Sequence, residues 1–138
     1  MSTAVLEAPA DTAELLFESG LPGFPAAHRF TLIRWGDEDS PFSIMRSLDA
    51  EGLEFVVVPP MVFFPDYEPE IDDATAERLD LERGEDAIVL AMVTLGEHAA
   101  DATANLLGPL VVNRHTNRAA QAVLASSGYD VRTPLVGG

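Results

Sequence analysis

Ala87-Ile88-Val89-Leu90-Ala91-Met92-Val93-Thr94-Leu95 is a run of nine residues without a charge. It is apolar at both parities of a two-residue alternation. That pattern describes a strand buried on both faces, at the centre of a sheet. It falls far short of the ~20 residues that cross a membrane. Upstream, residues 53–58 are aromatic and β-branched and stop at Pro59-Pro60, which cannot continue a ladder. Earlier still, Phe42, Ile44, Arg46 and Leu48 alternate onto one face, which sets Arg46 among apolar neighbours. Either the strand bulges there or Arg46 snorkels to a partner. Residues 30–35 form a further strand candidate, closed by the acidic turn Gly36-Asp37-Glu38-Asp39. Leu15-Leu16-Phe17 is another, ending at Gly20-Leu21-Pro22-Gly23. Downstream, Gly108-Pro109 interrupts the apolar run 106–112, which predicts an edge or bulged strand. Two segments stay open between helix and strand: 73–81, where Asp72 or Asp73 could start a helix, and the Ala-rich 119–124.

Short strands at close spacing, separated by Gly, Pro and Asp turns, predict an all-β sandwich or small barrel. A chain of 138 residues, 47% apolar, holds one domain with one core. Residues 1–14 are small, polar and aperiodic and read as a flexible tail, so the ordered domain is expected over 15–136. The N-terminus has no basic region followed by an apolar one, so no secretory signal is expected. Cysteine is absent, which removes disulfides and thiolate metal sites and fits a cytoplasmic protein.

The charge is strongly one-sided. Twenty-three acids face eight bases, all of them Arg, for a net charge of −15. Such a chain repels phosphate backbones and anionic membranes, so neither nucleic acid nor membrane is an expected partner. A basic protein surface would be steered toward it. Catalytic signatures are missing as well. His28, His98 and His115 show no paired-ligand spacing, and the near-neighbours His98 and Asp101 sit in a stretch that reads as a loop. There is no nucleophile elbow or phosphate cradle, and Ser126-Ser127 near His115 in sequence makes no triad. Chance pairing among so many carboxylates is commoner than a catalytic pair. No enzyme, cofactor or metal is therefore expected.

Residues 63–71 read Phe-Phe-Pro-Asp-Tyr-Glu-Pro-Glu-Ile. Proline stiffens the segment and aromatics bring contact area, so it is a candidate partner surface. The plainer alternative is a loop folded back on the core, and a mixture is expected: Phe63 or Phe64 buried, residues 66–70 exposed. From 66 to 86 there are ten acids and two bases, a net of −8, which is more than half the total in about a seventh of the chain. The candidate partner-binding residues are Phe64, Pro65, Asp66, Tyr67, Glu68, Glu70, Asp72 and Asp73. Asn105 and Asn113 flank an apolar run and are expected to satisfy turn backbone. Arg114, Arg118 and Arg132 could pair with the acidic stretch inside the fold.

Taken together, Gly20-Leu21-Pro22-Gly23-Phe24, Pro41-Phe42, Ser47-Leu48-Asp49, Phe55-Val56-Val57, Phe63-Phe64-Pro65-Asp66-Tyr67-Glu68 with Ile71, and residues 104–113, followed by Gln121, Tyr129, Arg132 and Pro134-Leu135, resemble the FliW family of bacterial flagellar assembly factors. The resemblance spans about residues 16–135. Departures are Met45-Arg46, where the family more often has Leu-Gln, Pro59-Pro60, and the absence of Lys. The resemblance implies a mainly β, single-domain, antiparallel β-barrel-like fold with at most one or two short helices. It further implies two mutually exclusive partners, flagellin and the RNA-binding translational repressor CsrA. Binding CsrA would relieve repression of flagellin translation, and binding flagellin would be chaperone-like. The rival from another class is a small-ligand-binding or catalytic β-barrel. A second rival is an RNA mimic whose acidic stretch fills the RNA site of CsrA.

Overall fold

The computed structural model of the chain describes residues 12–98, 101–124 and 127–135. Residues 1–11, which make up most of the expected tail, lie outside the described residues, as do Ser126 and Val136. Among the described residues nine strands form: β1 (Thr12–Phe17), β2 (Arg29–Arg34), β3 (Ser43–Ser47), β4 (Glu54–Val58), β5 (Ala87–Thr94), β6 (Thr103–Ala104), β7 (Leu110–Asn113), β8 (Arg118–Gln121) and β9 (Thr133–Pro134). One helix, α1 (Asp73–Arg78), and two 3-10 turns, Pro60–Val62 and Gly84–Asp86, complete the described elements.

The hydrogen-bonded order runs β4-β3-β2-β1-β8-β7-β5, and β5 pairs back onto β4, so seven strands close a barrel. The expected mainly β, barrel-like architecture is what forms. All ring pairings are antiparallel except β1–β8, which is parallel through Leu16↔Arg118 and Phe17↔Ala119. β6 and β9 extend the sheet from the far end of β5.

Alternation along each strand fills the lumen. Phe17, Phe30, Met45, Val57 and Leu110 are fully buried there, with Phe17 and Phe30 edge to face at 5.4 Å. A second core lies outside the barrel, where Val58, Ala91 and Val93 are covered by Ala104, Leu106, Leu124 and Leu135. A third, smaller one seats Leu79 at the end of α1 on Val111 and Ala120 of β7 and β8. β5 contributes Leu90 to the first core and Ala91 and Val93 to the second. That is why its sequence carries no alternation and why it is buried on both faces.

Several expectations change. β1 begins at Thr12, three residues before the boundary expected at Leu15, because buried Ala13 extends the alternation of Leu15 and Phe17. Residues 106–112 are not an edge or bulged strand. Pro109 precedes β7, and β7 lies between β5 and β8. Arg46 faces outward without a bulge, since β3 and β4 keep continuous register and its Nε meets the Glu54 carboxylate directly across the ladder at 2.6 Å. The open segment 119–124 contributes a strand, β8, and 73–81 contributes a helix. Gly20 turns the chain after β1 with φ of 71°, and a Cβ there would run into the Pro25 backbone.

The six-residue α1 is too short to persist on propensity. Its ends are therefore tied. Asp72 accepts hydrogen bonds from the Thr75 hydroxyl at 2.6 Å and the Thr75 N–H at 3.3 Å. At the other end Asp80 adopts φ of 58°, its N–H reaches the Glu77 carbonyl, and the Leu81 N–H reaches the Ala76 carbonyl, a Schellman closure. Arg118 of β8 then binds the Asp80 carboxylate, the Glu18 carboxylate and the Arg78 carbonyl, each at 2.9 Å. The expected pairing of a late arginine with the acidic stretch is thus present, and it joins α1 to the β1–β8 seam.

Candidate functional site: an acidic, proline-stiffened segment on a fixed frame

The candidate segment begins where β4 is forced to stop. Pro59 and Pro60 end the ladder, and the turn Pro60–Val62 follows. The Phe63 and Phe64 amides both donate to the Pro60 carbonyl, and the Tyr67 amide donates to the Phe64 carbonyl at 2.9 Å. These bonds fold the chain back on itself. Phe63 packs on Phe42 at 5.8 Å, and Phe42 packs on Trp35 at 6.1 Å. Phe64 is partly buried against the outer core. Phe63 and Phe64 therefore share the burial expected of one of them.

Tyr67 departs from the exposure expected of residues 66–70. It is 4% exposed. Its hydroxyl donates to the Leu106 carbonyl at 2.6 Å, and its ring stands edge to face on Tyr129 at 4.7 Å. The Tyr129 hydroxyl in turn accepts from the Glu68 N–H at 3.2 Å. Burial pushes the Tyr67 phenol up to about 12. Tyr67 thus pins the segment to the 106–129 region, and an aromatic rich in contact area became an anchor because its polar tip found a buried carbonyl.

The remaining candidates divide. Pro65, Asp66, Glu68, Glu70, Asp72 and Asp73 are exposed, and Pro69 and Ile71 are half-buried. Asp72 already serves as the helix cap, and the hydrogen bond from the Thr75 hydroxyl holds its carboxyl below the usual carboxylate range. Asp66, Glu68, Glu70 and Asp73 carry the outward charge. Two grooves flank the segment and share Glu68 and Pro69. One, about 700 Å³, runs between Glu70, Asp72 and the Val123–Tyr129 side. The other, about 480 Å³, is floored by Met61, Ile71, Leu81 and Val89.

Three apolar residues escaped the sequence reading: Met61, Val62 and Val123 are 42%, 58% and 65% exposed. Nothing local marks them, since an apolar residue beside a strand reads as core.

The other chemistry-bearing residues have structural tasks. His28 Nδ1 lies 3.0 Å from the Phe17 carbonyl, and Asp49 accepts from the His28 and Arg29 amides. His115 Nε2 meets Asp86 at 3.0 Å. Asp101 accepts from the His98 amide. Asn105 accepts from the Leu107 and Gly108 amides. Asn113, 3% exposed, donates to the Leu79 carbonyl at 2.7 Å and accepts from the His115 amide at 2.8 Å. Both asparagines are therefore turn ties, as expected. Among the described residues no group of three or more His, Asp or Glu side chains is placed to hold a metal ion, and no helix is long and apolar enough to cross a membrane.

Comparison with known proteins bears on the fold and the segment together. The family model described as FliW protein matches residues 3–135. The flagellar assembly factor FliW of Bacillus subtilis (strain 168) is 42% identical over 123 residues, covering 89% of this chain and 85% of the relative. That of Caldanaerobacter subterraneus subsp. tengcongensis is 35% identical over 122 residues, covering 88% and 81%. A crystal structure of the flagellar assembly factor FliW superposes with a TM-score of 0.84 at 32% identity, covering 91% of this chain and 86% of that one. Barrel, segment and late turn ties all fall inside the matched span, and the chain belongs to the FliW family.

Proposed function

We propose that this chain is a flagellar assembly factor of the cytoplasm that acts by binding proteins and catalyses nothing. It binds CsrA and relieves repression of flagellin translation, and it binds flagellin in a chaperone-like way, one partner excluding the other. The observation that carries this reading is the exposed acidic row Asp66, Glu68, Glu70 and Asp73, held on a frame stiffened by Pro65 and Pro69 and anchored by Tyr67. A surface ordered in advance loses little entropy on docking, and its charge steers a basic RNA-binding protein toward it. The ligand-binding barrel is disfavoured because the lumen is packed with Phe17, Phe30, Met45 and Leu110.

Inhibition of CsrA is non-competitive with RNA. A mimic of a phosphate backbone needs a regular run of free acids. Here Arg78 and Arg83 interrupt the run, Leu79 is 2% exposed, and Asp72 is engaged by α1.

The test is calorimetry with CsrA and with flagellin, each alone and then in competition, followed by titration of flagellin leader RNA into a fixed mixture with CsrA. Expected are binding to each protein, mutual exclusion, no gel shift by this chain alone, and failure of excess RNA to displace it. Absence of binding to both proteins, or a salt-dependent RNA shift by the chain itself, would overturn the proposal. Full recovery of RNA binding at high RNA would make the acidic stretch a mimic.

A further inference from the structure

The outward face of β2, β3 and β4 carries an apolar patch left uncovered among the described residues. Ile33, Ile44 and Val56 stand side by side across the three strands. Their chain neighbours Leu32, Met45 and Val57 pack into the lumen, so alternation turns Ile33, Ile44 and Val56 outward. Val56 joins the outer core, whereas Ile33 and Ile44 belong to none of the three cores and are half-buried. Just past the end of β2, Trp35 is 43% exposed. Its ring stands edge to face on Phe42, which packs in turn on Phe63. The stack is held by backbone bonds. The Trp35 amide donates to the Phe42 carbonyl at 2.9 Å, and the Ser40 hydroxyl donates to the Trp35 carbonyl at 2.6 Å. The chain thus keeps its only tryptophan in contact with water on a fixed frame. A contiguous apolar sheet surface is ordinarily covered by a second layer or by a partner.

Acids frame this patch on two sides. The turn after Trp35 presents Asp37, Glu38 and Asp39, all exposed. Two residues further along the strands, Glu14 and Glu54 lie exposed on the same outward face. Arg46 between them is paired with Glu54, and Arg34, on the parity of Leu32, belongs to the other face. We propose that this face is a docking surface for an amphipathic basic helix of a protein partner. The apolar stripe of that helix lies over Ile33 and Ile44, an arginine stacks on Trp35, and further Lys or Arg side chains meet Asp37, Glu38 and Asp39. Indole is the best aromatic acceptor of a cation, and an apolar face between acidic rims matches an apolar stripe flanked by bases. A second copy of this chain brings the same acids and is repelled at a net charge of −15. The surface is distinct from the acidic row at Asp73, because α1 sits on β7 and β8, which the ring order places across the barrel from β3. It goes beyond the functional reading above and holds whichever protein fills that row.

The lone tryptophan supplies the assay, since its emission reports on this face alone. The full chain is titrated with a helical peptide whose leucine stripe is flanked by arginines, with a scrambled peptide of the same composition, and with the glutamate counterpart of the first. Calorimetry gives the affinities. The amphipathic arginine peptide is expected to shift Trp35 emission saturably. The scrambled peptide binds about tenfold more weakly or less, which separates a built face from bulk attraction to an acidic protein, and the glutamate peptide does not bind. Trp35→Ala and Glu38→Arg each lower affinity for the arginine peptide about tenfold, while Asp73→Arg leaves it unchanged. Glu38 lies exposed in the turn and outside the aromatic stack, so Glu38→Arg tests the face even where Trp35→Ala loosens the fold. Saturable binding with Trp35 emission unmoved, equal affinity for the scrambled peptide, or indifference to both Trp35→Ala and Glu38→Arg would overturn the proposal. So would a concentration-dependent emission shift with dimerisation in the absence of peptide, which would assign the face to a second copy.

Discussion

Replacing Tyr67 by Phe deletes one oxygen atom and leaves the ring in place. The hydroxyl donates to the Leu106 carbonyl at 2.6 Å in surroundings where Tyr67 is 4% exposed. Without it that carbonyl loses its donor, and an orphaned buried acceptor costs about 1–3 kcal/mol. The edge-to-face contact with Tyr129 at 4.7 Å survives, so the aromatic contribution is retained. Against a total stability on the order of 5–15 kcal/mol, Tyr67→Phe remains folded at room temperature. In urea, with a slope of about 1–3 kcal/mol/M, its midpoint falls by roughly 1 M. A second readout is independent of unfolding. The buried phenol titrates at about 12 instead of the usual 10.0, so an ultraviolet titration of the parent chain contains a late component that Tyr67→Phe lacks. A raised folded-state value contributes stability that is present below the unfolded value and is lost as pH rises through the folded one. The parent therefore weakens between pH 10 and about 12, and the variant is flatter there. An unchanged urea midpoint together with lost CsrA affinity would refute this reasoning and make Tyr67 an interface residue.

Three further outcomes are expected. Asp72→Ala lowers stability by about 0.5–2 kcal/mol through loss of the α1 cap, whereas Asp73→Arg, which reverses a first-turn charge, costs only about 0.3–1 kcal/mol and weakens the proposed binding of CsrA in calorimetry. Asn113→Ala strips partners from the Leu79 carbonyl and the His115 amide and costs about 2–4 kcal/mol, against roughly 1–3 kcal/mol for Asn105→Ala, both read by urea unfolding. The Asp86 carboxyl is held below the usual 3.8 by the hydrogen bond from the His115 ring, with backbone amides of Arg83 and Glu82 adding to it. A depressed folded-state value gives stability that is present above the unfolded value and lost as pH falls through the folded one, so Asp86→Asn flattens the acid limb of a stability–pH curve below about pH 4.

The parts legible in the sequence are those that local pattern encodes. The uncharged run at β5, the double-proline stop after β4 and the Gly-rich turn after β1 each announce an element through alternation or backbone restriction. Asp72 also announces α1, but the six-residue helix is settled by Leu79 docking on β7 and β8, which is a tertiary fact. The same holds for Tyr67, whose partner Leu106 is distant in the chain, and for Arg46, whose match is a cross-strand carboxylate on Glu54. Gly108-Pro109 misleads because proline at the residue before a strand and proline inside an edge strand look alike until the ladder is known.

The parallel seam between β1 and β8 has a kinetic meaning. Residues 16 and 17 find their partners only at 118 and 119, so the ring is completed by a contact between the two ends of the domain. Loop-closure entropy must be overcome before that contact returns anything, which places the chain among slow, non-local folders. During synthesis the first strands emerge long before their last neighbour exists, and β1 waits with one unpaired flank. A chain truncated before Arg118 would therefore keep most of its apolar sequence yet present β1 and β7 as two bare edges. Its expected fate is edge-to-edge aggregation instead of a smaller, folded protein.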